Sequence, residues 1–172
     1  AIGAFTGFAM VQQTLAFRLQ DTLGLTGTET AQHAGLAMMA SAACSLFMQM
    51  LIAQRFNGPP VQLVRWGAGL LAIGTISISA LDSWTAILSC MALIGAGLGL
   101  LLPAVAAGAS LAVGPEEQGG VSGLVSACPA AGFVLGPISG GFLYQQNGPE
   151  AAWGAALILV VVFLSTLRPM RQ

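Results

Sequence analysis

Two adjacent glutamines lie inside an otherwise apolar stretch near the start of the chain. Gln12 and Gln13 follow Phe5 and Phe8, which precede Gln12 by about two turns and one turn of a helix and so share its face. A carboxamide donates and accepts hydrogen bonds, and aromatic rings supply apolar contact area, so this combination suits an amphiphilic organic molecule. Hydrogen bonding of each glutamine to another helix is an equally open interpretation.

The next apolar stretch contains flexible and polar side chains. Gln49 lies among several methionines, which are Met38, Met39, Met48 and Met50. Thioethers adapt to ligands of different shape, so Met38 and its polar neighbour on the same helix, Gln49, are candidate cavity residues. Contact with lipid or with the bundle core is the simpler explanation for most of the methionines. His33, the only histidine, lies about one turn into this stretch and could be either a polar cap or a proton relay.

The composition is that of a membrane protein. Of the 172 residues 56% are hydrophobic and 6% charged, whereas about a quarter of a soluble domain is charged. The charges lie between or at the edges of long apolar stretches, as expected where lipid makes a buried charge costly. A net charge of -1 without any lysine disfavours nucleic acid as a partner. The 3 cysteines lack metal or redox spacing, and we expect neither metal nor cofactor.

The apolar stretches are long enough to be transmembrane helices, which need about 20 residues each. Turns rich in Gly, Pro, Asn and Asp separate them, and Thr26 and Glu29 fit a capping box before the second. The predicted helices cover about 1–19, 29–54, 61–80, 84–113, 119–145 and 150–167. The sequence therefore predicts one all-α domain over residues 1–172, a bundle of six transmembrane helices.

Arginines predict the orientation of the bundle. Six crossings place both termini on one face, and most arginines share that face: Arg55, Arg65, Arg168 and Arg171. Only Arg18 falls on the other face. Because arginines in short loops are retained in the cytoplasm, both ends of the chain are predicted to be cytoplasmic.

Small residues recur at helical spacing in the fifth predicted helix. Gly132, Gly136 and Gly140 form a smooth ridge that would let a neighbouring helix approach closely. Pro137 removes a backbone donor and is expected to bend the helix. A ridge next to a bend suits a sliding or rocking contact, although static packing would use the same ridge.

These residues resemble the major facilitator superfamily, whose members consist of two six-helix bundles with a solute path between them. The stretch 132–141, which ends in Gly140 and Gly141, satisfies GxxxGPxxGG, the antiporter signature of drug exporters in that superfamily. Gly95, Gly97 and Gly99 resemble the tenth helix of such exporters. The fourth helix has no arginine and the sequence ends shortly after the sixth, so the resemblance favours the C-terminal half.

A weaker resemblance involves the loop between the second and third helices. Arg55 and Arg65 flank Phe-Asn-Gly-Pro-Pro, where the superfamily often has an Asp and basic residues that latch the cytoplasmic side. Gln54 stands where the Asp would be. The two arginines therefore either form part of a degenerate latch or serve only as topology anchors.

The resemblance implies half of a secondary transporter that exports small organic, drug-like molecules by alternating access. Its partners would be the solute, the lipid bilayer, which we expect to be a bacterial inner membrane, and the N-terminal half of the same transporter. Because the chain opens at Ala1 within apolar sequence, we expect that half to lie upstream. No Asp or Glu lies deep in a predicted helix, so proton coupling would belong to the missing half.

Three other functions fit parts of the sequence. A small six-helix carrier could act as a homodimer whose copies supply both halves. Gly120-Val-Ser122-Gly123 fits the GxSG motif of intramembrane proteases, but Ser122 and His33 would lie about 20 Å apart in depth, too far for a dyad. A channel of the aquaporin type would need paired Asn-Pro-Ala turns, which the sequence lacks.

Overall fold

Six α-helices make up most of the computed structural model, which describes residues 1–167. They are α1 (Ile2–Leu23), α2 (Gly27–Arg55), α3 (Pro60–Ala80), α4 (Trp84–Leu111), α5 (Gln118–Asn147) and α6 (Ala152–Leu167). Short 3₁₀ turns, Pro115–Glu117 and Gly148–Ala151, precede α5 and α6. No strand occurs among the described residues. The all-α prediction with six helices is confirmed, although α1 continues to Leu23 instead of ending near Leu19.

Local chemistry fixes the helix ends. Gly24 ends α1 in the left-handed conformation, with φ of 64°, which a residue with a side chain rarely adopts. The predicted capping box opens α2, where the Glu29 carboxylate accepts from the backbone N–H of Thr26 at 3.0 Å and from its hydroxyl at 2.8 Å. At the start of α4, the Ser83 hydroxyl accepts from the N–H of Ala86 at 3.3 Å.

The helices pack in an order different from their order in the chain. α4 lies between α2 and α3, α3 continues the row to α6, and α1 packs against both α6 and α5. Lighter contacts of α1 with α2 and of α4 with α5 close the bundle. The apolar core lies where α1, α3, α4 and α6 meet, around Met10, Leu71, Met91, Ile94 and Leu159.

α2 and α5 contribute little to this core. The buried residues of α5 are Gly132, Gly136 and Gly140 alone among those described. Both helices instead expose large apolar side chains, which are Leu36, Met39, Leu46, Phe47 and Met50 on α2 and Leu124, Val134, Leu135, Ile138 and Phe142 on α5. Such surfaces are stable only against lipid or another protein.

Four stretches are long and apolar enough to cross a membrane: Gly27–Ile52, Pro60–Ala80, Trp84–Leu111 and Pro115–Leu167, the last of which contains both α5 and α6. Within the described chain, α1 is not among them because Gln12, Gln13 and Arg18 lower its hydropathy. These polar groups are tolerated because α1 packs against several other helices and Arg18 is buried among protein groups.

Candidate functional site

A recess of about 300 Å³ lies between α1, α2 and α4. Its lining brings together three of the residues selected from the sequence, Phe8, Gln12 and Met38, with Ser41 and Ser45 on α2. The Gln12 amide Nε2 donates to the Met38 sulfur at 3.8 Å, a weak bond that a better acceptor could replace. We call this space the α1–α2–α4 recess. It combines an aromatic ring, a flexible thioether and a carboxamide, which suits a small amphiphilic molecule.

Phe5 and Gln49 are not among the residues that line the recess. Phe5 is only 6% exposed and packs against Gly132 in the contact between α1 and α5. Gln49 is half-buried, and its Nε2 donates to the Ser45 hydroxyl at 3.2 Å, one turn away on the same helix. Phe5 is thus placed to hold α5, and Gln49 to orient a hydroxyl of the recess.

Gln13 points to a different space, a groove of about 430 Å³ between α1 and α5. Pro137 and Gly141 line the groove with Phe17 and Tyr144, whose rings lie 5.4 Å apart between centroids. The Tyr144 hydroxyl donates to the carboxylate of Asp21 at 2.5 Å. The two adjacent glutamines therefore line two separate spaces, because neighbouring residues of a helix point about 100° apart.

The three spaced glycines of α5 lie against α1 along one line, which we call the glycine seam (Gly132, Gly136 and Gly140). A Cβ at Gly132 would collide with Phe5, and one at Gly136 would collide with Ala9. A Cβ at Gly140 would lie 3.3 Å from the Cα of Met10. The close approach that the spacing predicts is present, with α1 as the neighbouring helix. Gly141 borders open space instead.

The glycines of α4 serve two neighbours at once. A Cβ at Gly95 or Gly99 would collide with the carbonyl oxygen of Ser41 or Ser45 on α2. Gly97 faces the opposite way, where its Cβ would lie 2.8 Å from the carbonyl oxygen of Gly67 on α3. Alternate glycines therefore let α4 pack closely between α2 and α3, and this places Ser41 and Ser45 at the recess.

Arg18 is a buried charge whose role was not predicted from the sequence. It is 5% exposed and its guanidinium joins three segments. Nη1 donates to the carbonyl of Pro149 at 3.0 Å, before α6, and Nη2 donates to the Asp82 carboxylate at 2.8 Å and the Leu81 carbonyl at 3.4 Å, between α3 and α4. One sequence signal could have revealed this role: Arg18 lies less than two turns before Gly24, the residue that ends α1.

Comparison with known proteins identifies the fold. The family model described as Major Facilitator Superfamily matches residues 1–171. This chain belongs to the major facilitator superfamily. Twenty-four chains of solved structures also match, including the crystal structure of the peptide transporter POT (E310Q mutant) in complex with alafosfalin. That likeness has a TM-score of 0.77 at 21% identity and covers 96% of this chain.

The chain spans 36% of the peptide transporter chain that it resembles. No curated protein sequence matches it. Superfamily members are membrane transporters. The structure separates the two residues of a GxSG dyad: His33 packs on Trp84 at the start of α4, with 4.4 Å between ring centroids, whereas Ser122 follows the far end of that helix. A helix of 28 residues separates them by about 40 Å, too far for a dyad.

In this superfamily chain, the two arginines beside the α2–α3 turn have different surroundings. Arg55 is the last residue of α2 and is exposed. Arg65 lies in the second turn of α3, and its Nε donates to the carbonyl of Thr166 near the end of α6 at 2.9 Å. Arg65 thus ties two helices together, while Arg168 and Arg171 lie outside the described residues.

The remaining candidate residue is His33, in the second turn of α2. The ring Nδ1 of His33 lies 2.8 Å from the carbonyl oxygen of Glu29, one turn earlier in α2, so His33 is bonded within its own helix. No group of three or more His, Cys, Asp or Glu in the described part of the superfamily chain could hold a metal ion.

Proposed function

We propose that this chain is one half of a secondary transporter that exports small organic, drug-like molecules by alternating access. The observation that carries the proposal is the α1–α2–α4 recess. Gln12 offers the solute a hydrogen bond while Phe8 and Met38 offer apolar contact, and none of the described residues that line the recess is charged. A recess of this kind favours a largely apolar organic solute over a small, strongly hydrated inorganic ion.

The second half is the partner that the exposed helices require. The chain covers 36% of the peptide transporter that shares its fold, and α2 and α5 expose apolar side chains along much of their lengths. A second six-helix bundle would cover these surfaces and close the recess from the opposite side. The glycine and proline pattern of α4 and α5 supports assignment of the present chain to the C-terminal half.

Proton coupling is assigned to the other half. In the part of the chain that the structure describes, no Asp or Glu lines the α1–α2–α4 recess. A proton-coupled exporter needs a group that binds a proton within its solute path, and a buried carboxylic acid is the usual one. The glycine seam between α1 and α5 would then transmit the movement, because a ridge without side chains lets two helices shift against each other with few steric barriers.

Export can be measured in inverted membrane vesicles that contain the full-length transporter, with ethidium as the fluorescent solute. Gln12→Leu keeps the side-chain volume but removes the hydrogen bond, so we expect KM for ethidium to rise about three- to ten-fold. Gln20→Leu, at an exposed position on α1, is the matched control and should leave KM unchanged.

Two results would refute the proposal. If Gln12→Leu and Gln20→Leu have the same KM as the unaltered transporter, the recess does not bind the solute. If vesicles move alafosfalin and not ethidium, the solute class is wrong and a peptide-like substrate replaces it, as in the transporter that shares the fold.

A further inference from the structure

Another cleft, which shares no lining residue with the α1–α2–α4 recess, lies where α2 ends and α3 begins. It has a volume of about 300 Å³. Its walls come from α2, α3, α4 and the α2–α3 turn. The lining residues include Leu51, Arg55, Phe56, Leu63, Trp66 and Leu100. Most of the lining is apolar, and Arg55 is the only charged residue among the described residues that line it.

The cleft opens toward the bilayer. Trp66, Ile73 and Ile76 lie on one face of α3 and are 56%, 56% and 38% exposed. α3 packs against α4 and α6 through its other faces, so this apolar stripe is the outward side of the helix. An outward apolar stripe in a membrane bundle contacts lipid, and Trp66 is shared between the stripe and the cleft.

The position along the membrane normal is that of a lipid headgroup. Trp66 lies in the second turn of α3 and its ring meets the ring of Phe56 edge to face, 5.9 Å between centroids. Tryptophan is enriched at the boundary between hydrocarbon and water. Arg55 ends α2 just before this boundary turn and is exposed, so its guanidinium lies at headgroup level with apolar walls on its membrane side.

We infer that this cleft binds one anionic glycerophospholipid of the surrounding bilayer. The phosphate pairs with the guanidinium of Arg55, which matches phosphate geometry with two parallel N–H donors. An acyl chain follows the apolar walls formed by Leu51, Leu63 and Leu100. A headgroup of net negative charge is favoured because none of the described residues that line the cleft is acidic and could attract the ammonium of a zwitterionic lipid. In the proposed orientation this lipid belongs to the cytoplasmic leaflet.

Native mass spectrometry of the full-length transporter in detergent tests this inference, with phosphatidylglycerol and phosphatidylcholine of identical acyl chains as the probes. We expect tighter retention of phosphatidylglycerol. Arg55→Gln should weaken its retention about five-fold, because one arginine near a membrane surface contributes about 1 kcal/mol toward anionic lipid. Retention of phosphatidylcholine should fall less, because its ammonium group offsets the charge of the phosphate. Arg55→Lys should recover only part of the loss, since the charge remains but the two parallel N–H donors do not.

Trp153→Leu is the control for the aromatic wall, because Trp153 is 49% exposed at the start of α6 and outside the cleft. Trp66→Leu should lower retention of both lipids, whereas Trp153→Leu should lower neither. Equal retention of the two lipids by the unaltered protein, or equal retention of phosphatidylglycerol before and after Arg55→Gln, would overturn the inference. Neither result bears on ethidium export, so this inference and the proposed function fail independently.

Discussion

At the scale of single residues, Arg18 shows how a charge can be buried in a membrane helix. Its guanidinium has one carboxylate and several backbone carbonyls as partners, all at one end of the bundle. Asp82 is 67% exposed and so keeps much of its hydration, while Arg18 is nearly enclosed. The desolvation of one charge is thus offset by several hydrogen bonds at once. The result is a single residue that holds two interhelical turns to α1.

Replacement of this residue should destabilise the bundle. We expect Arg18→Gln to lower the free energy of unfolding by about 1–3 kcal/mol, because the carbonyls of Leu81 and Pro149 lose their donor. Thermal unfolding of the purified protein in detergent measures the change. Glu150→Gln removes an exposed charge beside Pro149 and should have an effect below about 0.5 kcal/mol. Equal stability of the two variants would show that the Arg18 bonds contribute nothing net.

At the scale of elements, glycine position decides which helices touch. The seam of α5 uses every fourth residue to meet one helix, whereas α4 uses every second residue to meet two. Spacing of four keeps residues on one face of a helix, and spacing of two places them on nearly opposite faces. Glycine thus produces a contact between two helices, α5 and α1, in one case. In the other case it produces a layer of three helices, with α4 between α2 and α3.

Two glycines five positions apart in α5 give a sharp test of the seam. Gly136→Ala should lower the free energy of unfolding by about 1–3 kcal/mol, because the new methyl group overlaps Ala9 on α1. Gly141→Ala adds the same methyl group to the same helix, where no atom outside the helix lies within 4 Å, and should leave stability nearly unchanged. Titration with SDS measures both. Helix propensity favours alanine over glycine, so it cannot cause a loss. A loss shared equally by both variants would therefore show that contact with Ala9 is not its cause, and would exclude the seam.

The glycines of α4 allow a similar comparison. Gly97→Ala should destabilise the contact between α3 and α4 by about 1–3 kcal/mol, since its methyl group would lie 2.9 Å from the backbone nitrogen of Leu71. Gly123→Ala, at an open position early in α5, is the control. Thermal unfolding in detergent compares them. A stability of Gly97→Ala equal to that of the control would mean that α3 and α4 can separate at little cost.

The helices were predictable from the sequence because hydropathy and turn residues are local signals, and the ends of α2 and α4 agree closely with them. The residues of the candidate site were less predictable. Gln12 and Gln13 differ in surroundings because α2 lies on one side of α1 and α5 on the other, an arrangement set by contacts distant in sequence. The partners of Arg18 lie more than 60 residues away, and no sequence window contains them.

At the scale of the whole molecule, the two ends of the bundle carry different charge. The end that contains Arg18 also contains Asp21, Glu29, Asp82 and Glu150, and its one arginine is paired. The other end contains Arg55 and Arg65 among the described residues, with Glu116 and Glu117. When only arginines without a carboxylate partner are counted among the described residues, the two ends therefore differ more than their total numbers of arginines suggest. It favours retention of the Arg55 end in the cytoplasm.

Labelling of introduced cysteines in intact cells tests this orientation. In a full-length variant with Cys44, Cys90 and Cys128 replaced by alanine, we expect Glu150→Cys to react with a membrane-impermeant maleimide added outside. Asn57→Cys, exposed in the turn between α2 and α3, should react only after the cells are permeabilised, which also serves as the control that the residue is accessible. The reverse pattern would place the α2–α3 turn outside. The orientation predicted from the arginines would then be wrong for this bundle. The lipid cleft beside Arg55 would face the outer leaflet, and its anionic lipid would have to come from that leaflet.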